Sequence, residues 1–276
     1  MTEGMRLELV GVGPQRAGTT WLFECLRDHP ELCFPREVKE TFFFDRHFAN
    51  GWGWYRAHFP EPAPGQRLAE IGPTYFAEPA AAERIHAHNP ACRVIVSLRD
   101  PAERTFSLYL HHLKKGRVPG DFAAALRQMP ELLETSRYAV HLPRWLRVFG
   151  AERVRVVLHD DIAGHPERVL QEVYAFAGLA AVPAPPEARE RVNAASLPRY
   201  PRLARAATTG AEWLRGRGLY GAVNLAKRLG LKRVYRGRRG GVPALDRETR
   251  ALLVRQLEPD IAYVEMLLGR ELPGWR

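Results

Sequence analysis

The chain has 276 residues and a formal net charge of +10, with 46% hydrophobic and 26% charged residues, as is typical of a soluble globular protein. Its three cysteines (Cys25, Cys33 and Cys92) are odd in number and form no C-x-x-C pair, which argues against a disulfide framework or zinc site and favours a reducing compartment. The sequence has no apolar run of about 18 residues and no signal-peptide pattern, so we expect no membrane span and a cytoplasmic protein.

The positive charge is concentrated late in the chain. Residues 199–239 contain twelve lysines and arginines and one acidic residue, Glu212. A basic excess favours an anionic ligand, and this segment is either a solvated basic face or a binding patch. A non-catalytic polyanion-binding protein therefore stays open as an alternative. Because the segment has few aromatic residues and no nucleic-acid recognition motif, we expect no nucleic-acid partner.

The first elements are a predicted strand, a glycine loop and a helix. Leu7–Val12 (LELVGV) is a short apolar run of the kind that forms buried parallel strands. Residues 18 to about 27 then place their apolar side chains on one face, and His29-Pro30 ends the helix. A glycine loop that leads into a helix N-terminus provides free N–H donors and a positive dipole end, as a phosphate-binding loop requires.

Further strands are predicted at Arg67–Ile71, 92–98 and 153–158, and they alternate with helices near 80–87, after Asp100 and at 167–177. Asp100 is a suitable N-cap before Pro101 and Glu103. The alternation predicts an α/β fold with a central parallel sheet covered by helices on both faces. We expect residues 1–276 to form one domain, with the α/β core ending near residue 180 and a mainly helical portion at about 181–276.

The loop at 13–20 (GPQRAGTT) keeps the glycine spacing of the nucleotide-binding pattern G-x-x-x-x-G-K-[ST], but Thr19 replaces the lysine. The basic side chain in this loop is Arg16. The strand at 92–98 is followed by Arg99, not by the carboxylate that would help to hold Mg²⁺. These differences argue against a P-loop-type phosphotransferase that uses ATP, which we keep as an alternative, and they predict a second anion beside Arg99.

Four segments resemble motifs of sulfotransferases that use 3′-phosphoadenosine 5′-phosphosulfate (PAPS). They are GPQRAGTTWL (13–22), VKETFFFD (38–45), EIGPTYF (70–76) and SLRDPAERTFSLY (97–109), in family order. The second and third are similar to segments of heparan sulfate glucosaminyl 3-O-sulfotransferases. The resemblance implies a P-loop-like three-layer fold and a soluble enzyme of bacterial type. The implied reaction moves a sulfuryl group from PAPS to a hydroxyl, less readily an amine, of a sugar, lipid or secondary metabolite, and leaves adenosine 3′,5′-bisphosphate (PAP).

The resemblance also assigns the cofactor site, and it implies no metal. The residues expected at the 5′-phosphosulfate are Arg16, Ala17, Gly18, Thr19, Thr20 and Trp21. Arg16 would in addition stabilise charge on the leaving oxygen, which makes it a candidate catalytic residue. Arg99 and Ser107 would hold the 3′-phosphate, and Arg199 lies in a later loop expected to close over the adenosine. The alternatives are an ion pair of Arg99 with Asp100 or Glu103 and an ordinary helix-surface role for Ser107.

Glu40 is the candidate general base for the acceptor, because the apolar residues around it favour a raised carboxyl pKa. The residues assigned to the acceptor side are Lys39, Phe42, Asp45 and Tyr75. An exposed Lys39-Glu40 charged pair is the alternative. Phe42 and Ile71 stand where the heparan enzymes have histidine and lysine, so we expect a less anionic acceptor. The expected partners are a small-molecule or glycan acceptor and, given the basic segment, an acidic acceptor or carrier protein.

Overall fold

The computed structural model describes residues 6–118, 120–189, 201–216 and 243–276. In these ranges five strands form one sheet in which every neighbouring pair is parallel, in the order β2-β3-β1-β4-β5. The strands are β1 (Leu7–Val12), β2 (Leu32–Cys33), β3 (Arg67–Ile71), β4 (Arg93–Leu98) and β5 (Val154–Leu158). The predicted α/β class with a central parallel sheet is therefore confirmed.

Helices lie on both faces of this sheet. The helices of the described residues are α1 (Thr19–Leu26), α2 (Gly51–Arg56), α3 (Ala81–His88), α4 (Pro101–Lys114), α5 (Phe122–Gln128), α6 (Glu131–Glu134), α7 (Tyr138–Phe149), α8 (His159–Gly164), α9 (Pro166–Ala177), α10 (Pro201–Gly216) and α11 (Arg247–Leu268). Short 3₁₀ turns occur at Phe48–Asn50, Pro73–Phe76, Ala151–Arg153, Pro186–Arg189 and Pro273–Trp275, and a single π-helical turn spans Phe43–His47. None of the helices in the described part of the chain is long and apolar enough to cross a membrane.

The core is divided by the sheet into two large clusters. On one face, Leu7, Val94 and Val96 pack with residues of α3, α7 and α11. On the other face, Leu9 and Ile95 pack with residues of α1 and α9. Because these strands are covered on both faces, nearly all their residues are buried, which explains why they read as continuous apolar runs.

The helix ends follow the predicted capping chemistry. The Asp100 carboxylate accepts the backbone N–H groups of Ala102 and Glu103 at 2.9 and 3.3 Å, which begins α4. Gly178 ends α9 in the left-handed conformation, with φ 61°. Strands β4 and β5 each begin one residue later than predicted, whereas β1 and β3 have the predicted bounds. The predicted boundary near residue 180 and the single-domain organisation stay predictions.

The sheet topology places the candidate site. Val12 near the end of β1 pairs with Val96 of β4, so the loop after β1 and Arg99 after β4 emerge at the same edge of the sheet. On its other side β1 pairs with β3, through Gly11 and Ile71. Ligands of open parallel sheets bind at the carboxyl ends of the strands, where the chain turns to opposite sides of the central strand.

Candidate functional site

The loop at residues 13–18 passes close over the end of β4. Gly13 has φ 122°, and a Cβ added there would lie 2.3 Å from the Ser97 carbonyl oxygen, so no other residue fits without displacing backbone. Gly18 has φ 105° and precedes α1 as its N-cap. Arg16 also lies in the left-handed region, with φ 76°, which is uncommon for a residue with a side chain. The loop therefore has a tight backbone path that presents Arg16 at its tip.

Arg16 links the loop to α4. Its Nε donates to Ser107 Oγ at 3.1 Å, so the structure brings two predicted cofactor residues together. Burial and, to a smaller extent, the nearby positive charge of Arg99 lower the pKa of Arg16. An arginine stays protonated under these conditions, so two cations share the mouth of the loop. Their mutual repulsion is relieved by a bound anion.

The start of α1 provides the remaining donors. The backbone N–H groups of Thr19, Thr20 and Trp21 belong to its first turn, ahead of the first intrahelical bond, from Leu22 to Gly18 at 3.1 Å. Ala17 and Thr19 are buried. The first turn contains no acidic residue, which leaves its positive dipole end uncompensated. This set of donors fits a phosphate or sulfate group.

Trp21 offers only its backbone to such a ligand. Its indole is buried in the core, and Nε1 donates to the Ala188 carbonyl at 2.9 Å. The predicted cofactor contact of Trp21 is thus limited to its N–H group. Arg199, which was also predicted to contact the cofactor, lies outside the described residues.

Arg99 forms an ion pair with Glu103, one of the alternatives to a phosphate-binding role that the sequence allowed. Its Nη2 lies 3.3 Å from Glu103 Oε2, and its carbonyl accepts the Tyr138 hydroxyl at 2.7 Å. Asp100 pairs with Arg250 at 2.7 Å. A partly exposed pair such as Arg99–Glu103 contributes about 0–1 kcal/mol, so Arg99 can exchange it for a phosphate at little cost.

Arg104, on α4, is completely buried. Its guanidinium donates to Ser136 Oγ, to the Leu132 carbonyl and, at 3.4 Å, to the Gln15 carbonyl. Burial lowers its pKa to about 10. Arg104 therefore fixes the phosphate-type loop from beneath, a supporting role that sequence reasoning did not identify.

Lys39 joins the loop helix to Glu40. Its Nζ donates to Thr20 Oγ1 at 3.2 Å and lies 3.5 Å from Glu40 Oε1. The two side chains are only 23% and 19% exposed, so the alternative of an exposed charged pair does not describe them. Burial raises the pKa of Glu40, an effect that Lys39 opposes, and burial lowers the pKa of Lys39. The candidate base thus lies one side chain away from the anion-binding loop.

The segment that follows Glu40 has an unusual backbone. Phe42 is in the left-handed region with φ 55°, and its carbonyl accepts both the Arg46 and His47 N–H groups at 3.0 Å, which closes a π-helical turn. The Arg46 guanidinium lies 4.7 Å from the centroid of the Phe42 ring. Asp45 accepts the Arg46 N–H at 2.8 Å, and its side chain is 8% exposed. Strain of this kind is concentrated at functional sites.

Tyr75, which was assigned to the acceptor side, and Ile71, from which the acceptor charge was inferred, both lie in the interior. Tyr75 is fully buried, its hydroxyl donates to Glu70 at 2.9 Å, and it accepts the Phe43 N–H at 3.0 Å. Tyr75 therefore supports the Glu40 segment from beneath and does not face an acceptor. Ile71 is 1% exposed and packs in the core beside Leu22 of α1, so its difference from lysine gives no information about acceptor charge.

The region around Glu40 is rich in positive charge. Lys115 and Arg46 lie close enough to lower the pKa of Glu40 against the effect of burial. Burial, and then Arg46, lower the pKa of Arg117, and burial together with Lys115 and Arg16 lowers the pKa of His111 to about 2. His111 is therefore neutral at physiological pH, and the cations dominate the field.

The described residues contain no group of three or more His, Cys, Asp and Glu side chains that could hold a metal ion. In the His159-Asp160-Asp161 stretch, Asp160 accepts the Trp275 indole N–H at 2.6 Å, and Asp161 pairs with Arg270 at 2.6 Å. These carboxylates tie the end of the chain to β5 and α8.

Comparison with known proteins identifies the family of this chain. The family model described as the sulfotransferase domain matches residues 8–197. Human heparan sulfate glucosamine 3-O-sulfotransferase 6 is 34% identical over 177 residues, which are 61% of this chain and 51% of that protein. Mouse heparan sulfate glucosamine 3-O-sulfotransferase 3B1 is also 34% identical, over 61% of this chain and 45% of its own length. The chain thus spans about half the length of the relatives it matches.

A solved bacterial structure has the same fold over nearly the whole chain. A sulfotransferase from Alicyclobacillus acidocaldarius superposes with a TM-score of 0.70, covering 98% of this chain and 99% of its own, at 22% identity. The family match includes the loop at 13–18, Glu40, Arg99 and Ser107. The chain therefore belongs to the sulfotransferase domain family.

Proposed function

We propose that the protein transfers a sulfuryl group from PAPS to a hydroxyl of an acceptor, with Glu40 as the general base. One observation carries the proposal: Lys39 contacts both Thr20, at the start of the anion-binding helix, and Glu40. The Lys39 side chain thereby bridges the candidate base, Glu40, and the start of the helix that would bind the sulfuryl donor. Such proximity is what an in-line displacement requires.

The cations and hydrogen-bond donors of the site suit the two anionic groups of PAPS, its 5′-phosphosulfate and its 3′-phosphate. Arg16 and the N–H groups of Thr19 and Thr20 suit the 5′-phosphosulfate, while Arg99 and Ser107 border the place for the 3′-phosphate. When bound, PAPS supplies the sulfuryl group and a phosphate leaving group. The residues that would surround it are cations and N–H donors, and Arg99 stands in place of the carboxylate expected beside a magnesium-bound nucleotide.

The protein side of the reaction follows from these contacts. Glu40 takes the proton from the acceptor hydroxyl as its oxygen forms a bond to sulfur, while the bond from sulfur to the 5′-phosphate oxygen breaks. Arg16 and Lys39 stabilise the negative charge that develops on that leaving oxygen. The products are a sulfate ester, PAP and one proton held by Glu40. A raised pKa makes Glu40 a stronger base than an ordinary carboxylate.

The acceptor class follows from the charge around Glu40. The sequence favoured a less anionic acceptor because of Phe42 and Ile71, but Ile71 is buried in the core. Arg46, whose side chain is 61% exposed, lies near Glu40 together with Lys115. We therefore propose a glycan or small-molecule acceptor that carries negative charge beside the hydroxyl. The predicted cytoplasmic location, bacterial type and carrier-protein partner stay predictions.

The test is a transfer assay with sulfur-labelled PAPS and a panel of acceptors: acidic and neutral polysaccharides, phenols and lipids. We expect label to appear in a hydroxyl-bearing, acidic acceptor without added metal. Label that appears only in neutral acceptors would contradict the acceptor class. Transfer of phosphate from ATP with Mg²⁺, in the absence of sulfuryl transfer, would instead support the phosphotransferase alternative.

A further inference from the structure

The strand β3 contains a carboxylate that the proposed reaction does not use. Glu70 is completely buried, a position in which a carboxylate is costly unless it is fully hydrogen-bonded. Its Oε1 accepts the Thr41 N–H at 2.9 Å, the Thr41 hydroxyl at 2.6 Å and the Tyr75 hydroxyl at 2.9 Å. Its Oε2 accepts the Tyr55 hydroxyl at 2.9 Å. Burial raises the pKa of Glu70, and these four donors oppose that shift.

The direction of these hydrogen bonds fixes the neighbouring backbone. Thr41 and Tyr75 give their hydroxyl protons to Glu70, so their oxygens are left as acceptors. The Phe43 N–H donates to Tyr75 Oη at 3.0 Å and lies 3.2 Å from Thr41 Oγ1. Glu70 therefore holds Thr41 directly and Phe43 through Tyr75 and Thr41, one on each side of the left-handed Phe42. This arrangement secures the chain directly after Glu40.

We propose that Glu70 is a positioning residue for Glu40, acting through Thr41. The proposal rests on the proposed function, in which Glu40 accepts the proton of the acceptor. The carboxylate anchors the residue next to Glu40 and thereby sets the direction in which the Glu40 side chain enters the site. Tyr55 comes from α2, and its ring stacks on Phe43 with the ring centroids 4.6 Å apart, while its hydroxyl donates to Glu70 Oε2. Tyr55→Phe keeps this ring contact and deletes the hydroxyl, so the two branches of the hydrogen-bond network are separable.

The test compares two variants that each delete one hydroxyl donor to Glu70. Thr41→Val removes the donor beside Glu40, and Tyr55→Phe removes the donor on the other carboxylate oxygen. We expect comparable losses of Tm, but a kcat lowered about 10- to 100-fold in Thr41→Val and by no more than about threefold in Tyr55→Phe. PAP affinity, measured by calorimetry, stays unchanged in both variants because the loop at 13–18 is untouched.

The pH dependence gives a readout that a purely structural role would not change. Burial raises the pKa of Glu40. If the Glu40 side chain is less firmly held in Thr41→Val and more exposed to water, its pKa is therefore lower than in the wild type. The acidic limb of the kcat profile therefore moves to lower pH in Thr41→Val and keeps its place in Tyr55→Phe. Glu70→Gln keeps an acceptor oxygen for Thr41, so we expect it to retain more activity than Glu70→Ala.

The outcomes separate this inference from the function on which it rests. Equal kcat losses in Thr41→Val and Tyr55→Phe, or an unchanged kcat and pH profile in Thr41→Val, would overturn it. An active wild type with an inactive Glu40→Gln variant and a normal Thr41→Val variant would overturn this inference alone. A wild type that transfers no sulfuryl group would overturn the proposed function and this inference together.

Discussion

Replacing Glu40 with glutamine is the sharpest perturbation of the proposed chemistry. Glutamine has nearly the same shape and can still accept a hydrogen bond from Lys39, which lies 3.5 Å from the carboxylate, but it cannot take a proton at neutral pH. General-base catalysis contributes about 10²- to 10⁴-fold, so we expect kcat to fall by that factor, equivalent to about 2.7–5.5 kcal/mol of barrier. KM for the acceptor should change little, because the lost interaction develops in the transition state.

For the same variant we predict that the affinity for PAP is unchanged or higher, in contrast to the loss of kcat. Without the carboxylate, the Lys39 charge is no longer offset and lies beside Thr20, so PAP should bind as well as in the wild type or up to about tenfold more tightly. Initial rates of sulfuryl transfer and calorimetry of PAP measure the two effects. The matched control is Glu61→Gln, whose side chain is 83% exposed and pairs with Arg56 at the surface. A kcat within about threefold of the wild type in Glu40→Gln would refute the assignment of the base.

Two further predictions concern pH and the loop. Burial raises the pKa of Glu40 above 4.5, the ordinary pKa of a glutamate, so kcat should be lost as the pH falls through this higher pKa. An acidic limb of the pH–rate profile at or below pH 4.5 would contradict a buried base. Gly13→Ala places a Cβ 2.3 Å from a backbone oxygen at φ 122°, so urea unfolding should show a loss of more than about 1 kcal/mol together with weakened PAP binding. Its control is Gly53→Ala in α2, where a Cβ meets nothing within 4 Å and stability should hold or rise by up to about 1 kcal/mol.

The sheet and its helix ends could be predicted because their signals are local. Leu7–Val12 is an apolar run next to a glycine loop, and Asp100 is followed by the residues that complete a cap. Side chains buried on both faces leave a continuous apolar run, and caps depend on residues two or three positions away. The spacing of the glycines likewise indicates an anion-binding loop, because it too is a pattern among near neighbours in the chain.

The Glu40 segment could not be predicted in the same way. The three phenylalanines at 42–44 resemble a strand, and nothing in that run indicates that Phe42 takes a left-handed conformation. The conformation is imposed from a distance: Arg84 donates to the Phe44 carbonyl at 2.6 Å, and Glu70 holds Thr41. Long-range contacts of this kind leave no periodic pattern in the sequence.

The geometry of strand β3 explains why Ile71 does not report on the acceptor. Successive residues of a strand face opposite sides of the sheet, so Glu70 points toward Tyr55 and Tyr75 while Ile71 points into the core beside α1. Because Ile71 faces the core, its identity carries no information about the charge of the acceptor. The signal that was available is Glu70 itself, because a carboxylate within an apolar strand needs buried partners.

The most direct test of the proposed donor site is calorimetric binding of PAP without metal, beside ATP with Mg²⁺. We expect metal-independent binding of PAP in the wild type, weakened about tenfold or more by Arg99→Ala through the loss of a charge-assisted phosphate contact. Arg168→Ala is the control, because that side chain is 61% exposed on α9. Binding of ATP with Mg²⁺ but not of PAP, or PAP binding that is indifferent to Arg99, would contradict the assignment of this site to PAPS.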